Sequence, residues 1–236
     1  MWGYAGFEYW VWVQRVCSVV RLLICKAGVS YESGSPKPRL RSMRRRHNAL
    51  ANTPKNTTMP FELQPSLKGD LLELRPLRAS DFDALFAVAG DPLVWEQHPA
   101  KDRYQEENFR VFFREAIDSG GALIASDLKD GRVIGSSRFN GYDTEKSEIE
   151  IGWTFLARSH WGGVYNGEMK RLMLQHAFKF VDRVLFVIGP QNLRSRQAVQ
   201  KIGGVQTASR FDASGKESVV YEIAGAAYRQ ATARGE

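Results

Sequence analysis

SEIEIGWTFLARSHWGGVYNGEMKRLMLQHAF, residues 147–178, is the stretch from which the fold can be read. Its first ten residues alternate as a β-strand does, with Glu148, Glu150 and Gly152 facing one way and Ile149, Ile151 and Trp153 the other. The carboxylate row is either a solvent face or one wall of a site. HWGGVYNGE (160–168) follows as a glycine-rich turn, and Met169, Leu172, Met173, His176, Ala177 and Phe180 mark the buried stripe of a helix running to about 181. Strand, glycine turn and helix in this order can hold phosphate. The first four helix N–H groups lack partners inside the helix, they share the positive end of the dipole, and glycines let a ligand approach the backbone. A tight turn without a ligand is the alternative. Neither a P-loop nor a dinucleotide fingerprint fits, because no Gly-Lys-Ser/Thr follows and Gly162, Gly163 and Gly167 lack the G-x-G-x-x-G spacing.

Upstream, LLELRPL (71–77) reads as a strand, and Ser80 starts a helix carrying Phe82, Leu85, Phe86 and Ala89 that ends at Asp91-Pro92. A second helix is predicted over about 104–118, with Phe109, Phe112, Phe113, Ala116 and Ile117 as a core stripe. GALIASDLKDGRVIGSSRF (121–139) is a hairpin signal, with Asp130-Gly131 supplying the positive φ angles of a tight turn. Downstream lie a short apolar strand, VLFVIG (184–189), and a helix, NLRSRQAVQKIGG (192–204), closed by Gly203 and Gly204. Two closing strands follow near 205–211 and 217–224.

The chain has 236 residues, 43% of them hydrophobic, which suits one domain plus a remnant. Its net charge of +7 is unevenly placed: residues 1–58 hold ten basic and two acidic side chains, and residues 59–236 hold 23 and 24. The basic character therefore says nothing about what the later segment binds, and no nucleic acid is required there. Cys17 and Cys25 also fall in the first segment, so the later one has no disulfide, no thiolate nucleophile and no cysteine ligand. No histidine pair has metal-ligand spacing, and no metal is predicted. The apolar run 9–25 is interrupted by Gln14, Arg15 and Arg21, and each central Arg costs roughly 2.5 to 3.5 kcal/mol in a bilayer, so no membrane span is predicted. Only Glu8 carries charge ahead of that run, unlike a signal peptide, which leaves the cytoplasm as the expected location. Residues 32–58 have the composition of a disordered basic tail. Arg44 to Arg46 are either solvated or a contact for nucleic acid or anionic lipid, and Met43 or Met59 are alternative natural starts.

The order of elements and four motifs together resemble the GNAT superfamily of acetyl-coenzyme A dependent N-acetyltransferases, in particular the branch of ribosomal-protein N-terminal acetyltransferases. The carriers are LLELRPLRASDFDALFAV (71–88), EIEIGWTF (148–155), ARSHWGGVYNGEMKRLMLQHAF (157–178) and NLRSRQAVQKIGG. The resemblance covers roughly residues 65–224 of a domain spanning 59–236. The loop departs from the family's Q/R-x-x-G-x-G/A pattern, whose small positions fall here on Val164 and Asn166.

The resemblance implies an α+β fold of three layers, with a mostly antiparallel sheet of six to seven strands whose fourth and fifth strands splay apart. Acetyl-CoA would enter the split. Arg158 and the stretch Trp161, Gly162, Gly163, Val164, Tyr165, Asn166 and Gly167 would take its pyrophosphate, largely through main-chain N–H groups. Glu150 would be the base for the attacking amine, directly or through water, with Glu148 in reserve. A main-chain N–H near Trp153 or Thr154 would polarise the thioester carbonyl. Asn192 would cap its helix and contact the pantetheine arm. Ser195 would bond the coenzyme or the departing thiolate, and Arg194, Arg196 and Lys201 would meet the adenosine phosphates. Trp95, His98 and Tyr104 would shape the acceptor pocket. The partners implied are acetyl-CoA and a primary amine, either a protein N-terminus or a small molecule, meeting on a monomer or homodimer in a ternary complex. An α-amine with a pKa near ~7.7 to 8.0 needs a weaker base than a lysine near ~10.4. A catalytically silent module that binds coenzyme A or a protein partner is the alternative.

Overall fold

A computed structural model describes residues 60–234. The basic extension, the interrupted apolar run and the alternative starts all lie outside the described residues. Within them one sheet contains β1 (Leu67–Lys68), β2 (Leu72–Pro76), β3 (Ala122–Asp127), β4 (Val133–Asp143), β5 (Glu148–Leu156), β6 (Arg183–Ile188), β7 (Val205–Phe211) and β8 (Glu217–Ala224). Their order is β1-β2-β3-β4-β5-β6-β8-β7. Every neighbouring pair is antiparallel except β5 and β6. The strand beyond the expected seven is β1, whose two residues are too few to carry a periodicity.

Five α-helices accompany the sheet: α1 (Phe82–Ala89), α2 (Glu106–Asp118), α3 (Val164–Ala177), α4 (Leu193–Lys201) and α5 (Gly225–Arg234). The last was not foreseen, because it follows β8 directly with no capping residue or break to announce it. Two apolar clusters occupy the two faces of the sheet. Met169, Leu172 and Met173 of α3, with Val199 of α4, pack on Leu123, Ile149, Ile151 and Phe186. Phe109, Phe112 and Phe113 of α2, with Leu85 of α1, pack on Ile124 and Phe155. Strand β3 is buried throughout because Leu123 and Ala125 serve the first cluster while Ala122 and Ile124 serve the second. Phe109 is fully enclosed, and truncating such a ring to Ala costs about 3 to 5 kcal/mol.

The hairpin between β3 and β4 differs from the expected two-residue turn. Residues 128–132 connect the strands, only Gly131 takes a positive φ (72°), and its N–H donates to the Asp127 carbonyl at 2.8 Å. Asp130 instead accepts from the Arg132 N–H at 3.0 Å, so an Asx-type contact does what a second left-handed residue would have done.

Two features of β5 position the site. Its parallel ladder with β6 consists of Glu148 with Arg183, Ile149 with Val184 and Glu150 with Leu185, and stops there although both strands continue. This is the splay implied for the fourth and fifth strands, here β5 and β6. The second feature is a bulge, because Arg138 of β4 pairs with Gly152 and Ser136 with Phe155, leaving Ser137 opposite both Trp153 and Thr154. Trp153 takes a φ of 51°. The alternation read from sequence therefore breaks: Ile149 and Ile151 join the α3 cluster, whereas Trp153 and Phe155 belong with α2.

Candidate active site

Glu150 is the last β5 residue in the ladder with β6, so its carboxylate stands where the strands part. No hydrogen bond or ion pair engages it among the described residues. Burial pushes its pKa up to about 7, against the opposing charges of Arg210 and Arg138. Glu148, two residues earlier on the same face, is held differently. Arg183, its partner in register on β6, donates to it at 2.7 Å, and the Lys146 ammonium lies 3.9 Å away. Glu148, the reserve base, is thus engaged by two cations, whereas Glu150 is not.

The loop after β5 brings an unshielded helix end to the mouth of the split. Gly162 and Gly163 have φ of 104° and 107°, which a residue with a Cβ adopts only with strain. They turn the chain so that α3 begins at Val164 with Gly163 as its N-cap. No side chain caps this end and no acidic residue sits in the first turn. The first helical bond is from the Gly167 N–H to the Gly163 carbonyl at 2.7 Å, which leaves the N–H groups ahead of it as donors for an anion. Space beside Gly162, Gly163 and Gly167 is open. The uncapped N–H groups and the open space at this end suit an anionic group such as a pyrophosphate.

Side chains of this loop mostly serve the protein. Arg158, expected to meet phosphate, is ion-paired through its Nε with Asp91 at the surface. The Trp161 indole N–H donates to the Leu156 carbonyl at 2.9 Å, fixing the loop to the end of β5. Tyr165 donates its hydroxyl to Asp127 at 3.0 Å, and the same carboxylate meets His160 at 3.1 Å. His160 is thereby directed to β3. Val164 is exposed and Asn166 half-exposed. Glu168 accepts from the N–H groups of Asp70, Leu71 and Leu72 at 2.8, 2.8 and 3.0 Å, which anchors α3 to the start of β2.

At the start of α4, the Asn192 side chain accepts from the Ser195 N–H at 3.1 Å, an N-cap as expected. Arg194 places its guanidinium 3.9 Å from the centre of the Trp161 ring, so a cation from α4 lies over the loop that opens α3. Arg196, expected to meet the adenosine phosphates, donates to the Tyr221 hydroxyl and the Pro190 carbonyl, both at 3.0 Å, and ties α4 to β8. Near the opposite helices, Trp95 and His98 come together with ring centres 5.6 Å apart, while Tyr104 points to the surface.

Sequence reasoning missed three cations. Lys170 of α3 is 5% exposed, and its ammonium donates to Thr154 at 2.5 Å and to Ser137 at 3.3 Å. It lies 5.5 Å from the Phe186 ring of β6, so it bridges the parting strands from the α3 side. Burial without an acidic partner lowers its pKa to about 7. Arg138 of β4 is also 5% exposed and stacks 4.6 Å from Trp153. Arg103 stacks 4.3 Å from Phe112. Helical and strand periodicity assign such residues to solvent, and only the bulge and the α2 aromatics bury them.

No group of three or more histidine, cysteine or carboxylate side chains able to hold a metal occurs among the described residues. No helix there is long and apolar enough to cross a membrane.

The comparisons agree with this architecture. Residues 72–205 match the model of the acetyltransferase (GNAT) domain family. Among solved structures, the chain is similar to a GCN5-related N-acetyltransferase from Brucella melitensis, at 18% identity and a TM-score of 0.65, over 72% of this chain and 83% of that one. A GNAT-family acetyltransferase from Bacillus anthracis is similar at 19% identity and a TM-score of 0.58, over 69% and 99% of the two chains. A spermidine N-acetyltransferase from Vibrio cholerae, solved with CoA and spermine, is similar at 12% identity and a TM-score of 0.53, over 67% and 98%. No curated protein matches. With a family match across more than half its length, on a sheet split beside an open helix N-terminus, the chain belongs to the GNAT acetyltransferases, which take their acetyl group from acetyl-CoA.

Proposed function

We propose that this protein transfers the acetyl group of acetyl-CoA to a primary amine by direct attack in a ternary complex. The observation that carries the reading is Glu150: an unpaired carboxylate at the parting of β5 and β6 whose pKa is pushed up to about 7. A base with that pKa is half ionised at neutral pH and close enough to an amine near ~7.7 to 8.0 to accept its proton. Donors for the phosphates come from the uncapped N-terminus of α3, with Arg194 as the nearest cation above Trp161. Asn192 and Ser195, at the start of α4, are the proposed contacts for the pantetheine arm and the departing thiolate. The β5 bulge supports a role for the Trp153 or Thr154 N–H in stabilising the carbonyl oxygen as it gains charge. Holding amine and thioester in one split supplies much of the acceleration. The sequence resemblance supports a protein N-terminus as one acceptor form, and a small amine is the other.

Calorimetry with acetyl-CoA, followed by amine-dependent release of free thiol across a panel of amines, tests the proposal. Saturable binding and thiol release with at least one amine are expected. Absence of binding at millimolar acetyl-CoA contradicts it.

A further inference from the structure

Arg138 and Arg103 form a cationic pair that the acetyl-transfer chemistry does not use. Their guanidinium carbons lie 5.8 and 4.3 Å from the centre of the same ring, that of Phe112 on α2. Nε and Nη2 of Arg138 are fully buried and have no hydrogen-bond partner. Neither arginine belongs to an ion pair among the described residues. A buried, unpaired guanidinium is costly to keep, because it has given up water without regaining hydrogen bonds. Arg103, half-buried and within reach of His98, adds a second positive charge on the same ring, and the two repel each other. A ligand oxyanion would relieve both costs, since the planar fork of an arginine matches a carboxylate or phosphate.

The pair adjoins the proposed base. Arg138 pairs in register with Gly152, and its β4 neighbour Asn140 pairs with Glu150. The guanidinium stacks on Trp153, which the bulge turns toward the α2 side of the sheet. Arg103 approaches His98 Nε2 at 3.2 Å. Burial and the Arg103 charge push His98 down to about 4, so it is a neutral acceptor at pH 7 and does not balance the arginine. The surrounding charges are Asp102 beside Arg103, Glu115 from α2, Glu150 from β5, Arg210 from β7, whose charge reaches Glu150, and Lys216 from the β7–β8 turn, whose charge reaches His98. With the arginine pair itself, four cations stand against three carboxylates, a balance that does not favour a polyamine acceptor.

We propose that the acceptor is a small amine carrying an oxyanion group, carboxylate or phosphate, which Arg138 and Arg103 bind while Glu150 receives the amine proton. This rests on the acetyl-transfer reading and names its substrate class. In the reaction the amine nitrogen forms a bond to the acetyl carbon, the C–S bond breaks, the amine proton passes to Glu150, and the sulfur leaves as thiolate to be protonated from solvent.

The test is thiol release by the full chain with matched acceptors: ω-amino acids against their amides, and phosphoethanolamine against ethanolamine, with spermidine as the polycation. The expected result is a kcat/KM at least about tenfold higher for the oxyanion-bearing member of one set, which also identifies carboxylate or phosphate as the group. Arg103→Gln should raise KM for that acceptor about tenfold while lowering kcat/KM for its uncharged partner several-fold less. Arg138→Gln should raise that KM as well, and because the Arg138 charge also bears on Glu150 it should lift the apparent pKa of the base for both partners; if that variant does not fold, Arg103→Gln decides. Equal use of charged and uncharged partners, preference for spermidine, or equal loss on both partners in Arg103→Gln overturns the inference while acetyl transfer stands. Acetyl-CoA binding without thiol release from any amine overturns both.

Discussion

Lys170 shows how far a single side chain can depart from its local pattern. In GEMKRLML it stands between two stripe residues and a run of polar and apolar alternation, and reads as solvated. Burial follows from two hydroxyls on other strands, Ser137 and Thr154, which meet its ammonium beneath the split. A lysine with a folded pKa near 7 and an unfolded value of 10.5 binds more protons when unfolded throughout that window. Its contribution to stability is therefore lowest below pH 7, rises through the window, and is complete above 10.5. Lys170→Met removes this dependence. Urea unfolding at several pH values should show wild type gaining on the variant as pH rises from 7 to 9, by up to about 1.4 kcal/mol per unit; parallel profiles would show that the ammonium is solvated. Arg138 and Arg103 were equally hidden, because contacts with Trp153 and Phe112 exist only once β4, β5 and α2 have assembled.

Elements were legible wherever the signal was local. The stripes of α2 and α3, the glycine turn before α3 and the Asn192 cap of α4 all follow from spacing and from residues with few conformational options. The β5 bulge was not legible, because its left-handed residue is a tryptophan, and nothing in EIGWTF distinguishes a continued strand from one that turns over a residue. What shifted as a result was the face on which Trp153 sits, and with it the composition of the acceptor side. Two substitutions test the helix ends. Gly163→Ala forces a side chain into a φ of 107° and should cost about 1 to 2 kcal/mol of stability while raising the KM for acetyl-CoA, measured by denaturant unfolding and initial rates. An unchanged KM would mean that this helix end does not meet the coenzyme. Asn192→Ala removes the cap of α4 and should cost about 1 kcal/mol; no loss would mean that water replaces the cap.

At the scale of the molecule, the net charge of +7 is +8 on residues 1–58 and −1 on the segment that carries the split sheet. Deleting residues 1–58 should leave kcat/KM for acetyl transfer within about twofold, because every group of the proposed site lies beyond them; loss of activity would assign the extension a part in the site. The sheet's split, the open end of α3 and the bulge converge on Glu150, so the account is tested most directly by the pH dependence of kcat/KM for acetyl transfer in wild type and Glu150→Gln. The base must be ionised to work, so the wild-type rate should rise with pH through an apparent pKa near 7, and the Gln variant should lose that inflection along with roughly 10²-fold or more of the rate. A Gln variant with the wild-type rate and the same inflection would contradict the account.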